Sequence, residues 1–320
     1  MKNFIGVALV AVTVLIVFSC GSDNIDTKGA DYTPIEYFEE CQYFEYDFPE
    51  LSYAELPNIG YSLATINDTT LPRDSDGVVL FEYKEQFYYH PVNMSHRMFI
   101  LLGAYYKLKD TVYLNRAEKY ARRLMTEAVE HNRAVYFPYR FDYKVHNRED
   151  GILAAPWYSG MAQGEVLEAV VRLYNFTQDS TYLDFARKIF RSLTLLKDEY
   201  EPWVSFVDEL DCFWIEEYTV DPPSMTLNGF IAAVFGVYDY YRATGSKKAE
   251  QMLVDCCNTI RNYMPLFRRP GQISYYGLRY QHYDAGYHMF HIKLLRDLSR
   301  LSGDQVFNQW ADSLQADYSG

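Results

Sequence analysis

Cysteine is scarce in this chain of 320 residues: Cys20, Cys41, Cys212, Cys256 and Cys257 are the five, and no two form a CxxC pair. That argues against a zinc site built on paired cysteines and against a disulfide framework standing in for a core. Adjacent Cys256 and Cys257 lie in a helical pattern and read as packed side chains. A bridge between Cys41 and Cys212 stays open at this level. Positive charge is also short, with 30 Lys and Arg against 43 Asp and Glu for a net charge of −13, which argues against nucleic acid as a partner. The N-terminal apolar run from Phe4 to Phe18 is 15 residues, short of the ~20 that a spanning helix needs.

After Met1 and Lys2, that run reads as a signal peptide over residues 1–19. It closes on Val17-Phe18-Ser19-Cys20-Gly21, a relaxed bacterial lipobox with Phe18 at a position that usually holds a small residue. Cys20 is therefore expected to carry a lipid and tie an exported lipoprotein to a membrane, periplasmic or on the outer membrane. A polar tether follows at 20–32, and a single domain is expected over 33–320.

What the chain has in excess is aromatic surface, 17% of residues with 31 Tyr and 20 Phe, beside a hydrophobic fraction of 49% that is ample for a core. Tyrosine offers a flat apolar face and a polar tip, which suits both interhelical packing and a groove that stacks sugar rings. Charge is uneven too: from Asn258 to Arg300 there are seven Lys or Arg against two acids. That segment is expected to hold an acidic glycan locally, although most of its charges read as solvated helix faces.

A helix, a short polar turn and a second helix recur, with the turns starting at Tyr106, Tyr174, Tyr241 and Leu298, so the spacings are 68, 67 and 57 residues. Tetratricopeptide repeats run at ~34. The longer period, with long loops at 132–161, 198–224 and 264–284, predicts an all-α fold, an (α/α) toroid of about four hairpins whose long loops build one rim. Residues 114–130 and 182–196 carry apolar side chains every three or four positions, and 226–243 is apolar nearly all round, as an inner helix would be. Val78–Tyr83 and Gln86–Tyr89 predict a small N-terminal β element.

Three loop-to-helix junctions hold uncommon clusters: Trp157-Tyr158-Ser159-Gly160-Met161-Ala162-Gln163-Gly164; Glu216-Glu217-Tyr218 followed by Leu227-Asn228-Gly229-Phe230; and Tyr276-Gly277-Leu278-Arg279 followed by Tyr287-His288-Met289-Phe290-His291. In order and spacing these resemble the catalytic domain of the D-glucuronyl C5-epimerases, which turn glucuronate into iduronate within heparosan-type glycosaminoglycan chains. The likeness runs from about Tyr88-Tyr89-His90-Pro91 to the C-terminus. The chain departs from the pattern at Thr219, where the family often has Pro, at Tyr280, where a His follows the Arg, and at Ala285-Gly286, where the family has Trp-Asp. A β-rich insertion found in animal members is absent between the first helix and the Trp-Tyr-Ser loop.

The resemblance implies an isomerase acting on a uronic-acid polysaccharide without cofactor or metal. Inversion at C5 removes a proton alpha to a carboxylate and returns one to the opposite face, so it needs a base, an acid and a charge clamp. Glu217, Tyr218, Tyr276 and Tyr287 match the catalytic positions. Arg279 offers a bidentate fork for the carboxylate, with the basic segment around it lowering the tyrosine pKa values. Tyr89, Trp157, Tyr158, Gln163, Asn228, His288 and His291 are the remaining candidates for substrate contact. Gln163 and Asn228 also fit local capping, and the two histidines, at i and i+3 with no third ligand beside them, also fit helix packing. Rival readings are a polysaccharide lyase, which shares the first proton abstraction, a hydrolase, for which Asp211, Glu216 and Glu217 lie too close together, and a glycan-binding lipoprotein without turnover.

Overall fold

The computed structural model describes residues 40–318; the apolar run, Cys20 and the tether lie outside the described residues. Eight helices pair into four hairpins. These are α2 (Pro91–Leu108) with α3 (Thr111–Glu127), α4 (Gly160–Thr177) with α5 (Ser180–Ser192), α6 (Leu227–Thr244) with α7 (Lys247–Phe267), and α8 (Ala285–Ser302) with α9 (Val306–Asp317). A short α1 (Leu63–Asn67) precedes them.

The recurring turn has a local cause. Lys109, Gln178 and Gly245 each adopt the left-handed conformation and donate their N–H to the carbonyl of Tyr105, Tyr174 or Tyr241, which closes the first helix. The next residue, Asp110, Asp179 or Ser246, accepts the N–H of Val112, Thr181 or Ala249 and opens the second. Gly303, at the end of α8, is left-handed as well. These caps start α3 and α5 a few residues earlier than apolar periodicity alone predicts.

The inner helices α2, α4, α6 and α8 pack in succession, and α3, α5, α7 and α9 lie outside them. Residues 160–173 of α4 and 227–240 of α6 are buried on every side. Gly164 and Gly236 allow the two to touch at their backbones: a Cβ on Gly164 would overlap Ala233, and one on Gly236 would overlap the Gly164 carbonyl. This close crossing draws the N-terminal ends of α4 and α6 together. Deeper in the same seam Arg172, 1% exposed, donates to Asp239 at 2.6 Å and pairs with Glu168 at 2.6 Å.

The two ends of the toroid differ. Residues 41–58, irregular but for one 3-10 turn at Tyr53–Glu55, run along the end formed by the C-terminal halves of the inner helices, where Tyr238 donates to the Pro49 carbonyl, Arg172 to that of Pro57, and Asn58 to Glu168. Cys41 is disulfide-bonded to Cys212, 171 residues away, and closing a loop of that length stabilises the fold by about 5 kcal/mol on the chain-entropy account. The opposite end carries the long return loops, trimmed with two-stranded hairpins: β1 (Phe81–Tyr83) with β2 (Gln86–Tyr88), β3 (Val129–His131) with β4 (Ala134–Tyr136), β5 (Tyr143–Lys144) with β6 (Ile152–Leu153), and β7 (Ser205–Val207) with β8 (Phe213–Ile215). The first of these is the β element expected from the sequence. No helix of the described residues is long and apolar enough to cross a membrane.

Candidate active site

The chain leaves β8 into Glu216, Glu217 and Tyr218, above the N-terminal ends of α4 and α6. Glu216 is fixed at both ends. Its N–H donates to the Val204 carbonyl at 2.8 Å and its carbonyl accepts from Gly160 at 2.7 Å. Its carboxylate, 1% exposed, takes hydrogen bonds from the Ser224 hydroxyl and the Met225 N–H, both at 2.8 Å. Burial still pushes this carboxyl up to about 7. Glu216 thus works as a clasp on the 219–226 loop.

Glu217 turns the other way, against α6 at Gly229, where any Cβ would overlap its carboxylate. The Tyr276 hydroxyl lies 3.0 Å from both of its oxygens, and the Tyr218 hydroxyl lies 3.3 Å from that of Tyr276. Tyr276 is held by α6 itself, since the Leu227 N–H donates to its carbonyl at 3.0 Å. Tyr287, in the first turn of α8, meets the Tyr276 ring edge-on at 4.5 Å. Glu217 is 4% exposed. Burial pushes it up to about 8, against the two tyrosine hydroxyls, with the carboxylates of Glu216 and Glu165 adding to the rise. Burial raises Tyr218, Tyr276 and Tyr287 as well, with the Glu217 charge next in each case. The three phenols therefore sit protonated around one buried carboxyl group.

Above this cluster lies the loop between β4 and α4. Tyr143 stacks on Tyr218 at 5.7 Å, and His146 meets Tyr276 edge-on at 5.1 Å and stacks on His282 at 4.1 Å. Both are half-buried and form the mouth of the site. Burial, then the neighbouring His282, holds His146 down at about 3, so it stays neutral. Tyr143, His146 and His282 escaped the sequence reading; their only signal was membership of two long loops. Trp157 forms a second layer, stacked face to face on Tyr139 at 4.0 Å, its indole donating to the Phe141 carbonyl. Among the described residues, no group of three His, Cys, Asp or Glu side chains could hold a metal.

The sequence profile of the family described as D-glucuronyl C5-epimerase C-terminus matches residues 130–316. The chain belongs to this family. The D-glucuronyl C5-epimerase of Caenorhabditis elegans is 24% identical over 180 residues, covering 50% of this chain and 29% of that protein, so the match spans under a third of the relative's length. Two solved structures share the toroid. One is the cellobiose 2-epimerase of Bacillus thermoamylovorans B4167, with a TM-score of 0.53 and 14% identity over 82% of this chain and 68% of that one. The other is a sugar epimerase from a ruminal bacterium, with a TM-score of 0.54 and 12% identity over 83% and 70%.

Several residues that the family resemblance suggested for substrate contact are committed elsewhere. Gln163 is fully buried and its amide saturated: it accepts from the Phe137 N–H and donates to the Val135 carbonyl and the Ser192 hydroxyl, fastening β4 to α4. His288 accepts from the Ser274 N–H and lies 3.0 Å from the Leu314 carbonyl, while His291 lies 3.0 Å from the Ser274 hydroxyl; both are fully buried and hold the last loop to α8 and the C-terminus. The Tyr89 hydroxyl donates to Asp74 under the Arg123 guanidinium. The Tyr158 ring meets those of Tyr136 and His131 edge-on. Asn228 lies one residue before Gly229, 2% exposed, with its side-chain oxygen unpartnered, and the Nε2 of His291 is likewise unpartnered.

Arg279 also differs from expectation. Its guanidinium donates to the carbonyls of Pro222 and Asp150, lies 3.9 Å from the Asp150 carboxylate and stacks on Tyr280. Tyr218, Tyr276 and Tyr287 are raised rather than lowered, by burial first and the Glu217 charge next. Five of the other six basic residues of the segment pair with acids, and Arg269 donates to the Ile273 carbonyl and the Gln272 side chain. Arg261 pairs with Asp304, Arg268 with Asp317, Arg296 with Asp312, and Lys293 and Arg300 with Asp297. The segment is therefore not a free cradle for a polyanion.

Proposed function

We propose that this chain is a carbohydrate epimerase that inverts C5 of a uronate unit, D-glucuronate by the family's pattern, within an acidic polysaccharide. The observation that carries the reading is the contiguous set Glu217–Tyr276–Tyr287, one buried carboxyl group hydrogen-bonded by the Tyr276 phenol, whose ring Tyr287 meets edge-on. Ionised Glu217 removes the C5 proton, and its burial makes it a stronger base than an exposed carboxylate. A phenol on the other face, Tyr287 first, returns a proton to C5. The Tyr276 hydroxyl touches the carboxyl group and lies within hydrogen-bonding influence of Tyr287. The proton gained by Glu217 can thus replace the one given up by Tyr287, and the site ends with its charge unchanged.

The substrate carboxylate is assigned to Arg279, which already faces one carboxylate, Asp150; the sugar's acid group would take its place with bidentate geometry. Asn228 is assigned to a sugar hydroxyl on account of its unpartnered oxygen. The same reading places the chain outside the cytoplasm on a lipid at Cys20, and the Cys41–Cys212 disulfide supports an oxidising compartment.

The test is incubation with heparosan-type polymer in deuterated water. Deuterium at C5 with intact chains is the expected result, and Tyr287→Phe should abolish it while leaving polymer binding within about twofold. Ultraviolet absorbance from an unsaturated sugar would mean a lyase, and binding without label would mean a capture protein; either outcome overturns the proposal.

A further inference from the structure

A cavity lies away from Glu217, on the outer side of the first hairpin, under α1 and the loop that follows it. Its volume is about 350 Å³ and its wall includes Ile66, Arg73, Arg116, Lys119 and Tyr120. A small recess lined by Arg73, Arg116, Ile66 and Tyr120 as well brings in Arg97 from α2. Arg73 and Arg116 therefore border both spaces, Lys119 joins them in the wall of the larger one, and Arg97 lines only the recess beside it.

Each guanidinium is only partly used. Arg97 donates to the Thr65 carbonyl at 2.9 Å, Arg116 to that of Ile66 at 2.8 Å, and Arg73 to those of Gly77 and Asp68 at 3.0 and 2.7 Å. A guanidinium carries five N–H donors, so three or four on each remain. None of the three forms an ion pair among the described residues, whereas Arg123 on the same face is paired with Asp74 and Asp76. The two acids in the wall have partners of their own: one oxygen of Asp68 accepts from the Thr70 N–H and hydroxyl at 2.8 and 2.6 Å, and Asp76 accepts from Arg123 at 3.1 Å, while the Asp68 charge offsets part of that of Arg97 and Arg73. Neutral donors would pin the loop's carbonyls equally well. Arg73, Arg116 and Lys119 instead outnumber the two carboxylates of the wall, and an anion relieves the excess positive charge. Burial first, and then the charges of Arg73 and Arg116, hold Arg97 below its ordinary value, against Tyr120 and Asp68 acting the other way.

We propose that this cavity is a binding site for an oxyanion, a carboxylate or sulfate, borne on a body the size of one sugar ring. Its volume exceeds what a bare ion fills, and Ile66 and the Tyr120 ring supply an apolar wall for the ring to lie against. The site is separate from the cluster around Glu217, and its occupancy does not depend on turnover there.

Calorimetric titration at low ionic strength with glucuronic acid, inorganic sulfate and glucose tests the assignment. Glucuronic acid should bind and glucose should not; sulfate binding as well would identify the oxyanion as the recognised element, with free ions as one source. Arg116→Gln should weaken glucuronate about tenfold or more, as expected for losing a charged hydrogen-bond partner. Should that variant fail to fold for want of its Ile66 contact, Lys119→Glu reverses a charge on an exposed residue whose hydrogen bond is to the Asp76 carbonyl, and it should abolish binding. Absence of binding by both acids, or unchanged glucuronate affinity in Lys119→Glu, overturns the proposal. Failure of C5 exchange with every polymer would leave these titrations untouched.

Discussion

Replacing Glu217 by Gln should stabilise the protein, by an amount that grows with pH. The folded chain holds Glu217 protonated up to about 8, whereas its ordinary value is 4.5. A group whose folded pKa is raised contributes its full stability below the unfolded value and loses it as pH climbs through the folded value. Between pH 5 and 8 the wild type should therefore lose ~1.4 kcal/mol per pH unit relative to Glu217→Gln, reaching about 3 kcal/mol at pH 7. The glutamine is neutral and keeps an oxygen for the Tyr276 hydroxyl, so packing is preserved. Glu216, itself raised to about 7, titrates in both proteins and largely cancels in the difference. Urea unfolding of the two proteins at pH 5, 6, 7 and 8 gives the comparison. Parallel stability curves would mean that Glu217 is ionised at neutral pH and would remove the argument for a raised base. The same shift predicts that wild-type C5 exchange rises with pH up to about 8, because only the ionised form abstracts a proton, while Glu217→Gln shows none.

Gly229→Ala should cost both stability and exchange, since its methyl overlaps the Glu217 carboxylate; a loss of about 1–3 kcal/mol is expected from overpacking, and an alanine variant with full exchange would contradict the placement of Glu217. Cys20→Ser should release the protein into the soluble fraction after export, which membrane fractionation reads directly; a variant still bound to membrane would refute lipidation at that residue.

The hairpins and their order were legible in the sequence because their causes are short-range. A left-handed cap at Gln178 and an acceptor at Asp179 act within a few residues, and helical periodicity needs only neighbouring turns. The order of the motifs likewise pointed to Glu217, Tyr218, Tyr276 and Tyr287, which the fold brings together. What each polar side chain touches depends on partners far along the chain. Tyr276 and Glu217 are 59 residues apart, and Gln163 reaches Phe137 across 26. Burial reversed the expected direction of the tyrosine shifts, because desolvation and the Glu217 charge act where a cation had been expected. Composition placed Arg279 in a basic segment; only folding set the carbonyls of Pro222 and Asp150 against its guanidinium. By itself the sequence determined the hairpins, their turns and which residues face inward, because those follow from backbone capping and periodicity. Tertiary structure alone decided the charge state and partners of the site, because Glu217 is withdrawn from water by packing against Gly229 of α6 and under Tyr276, contacts made only when distant segments meet.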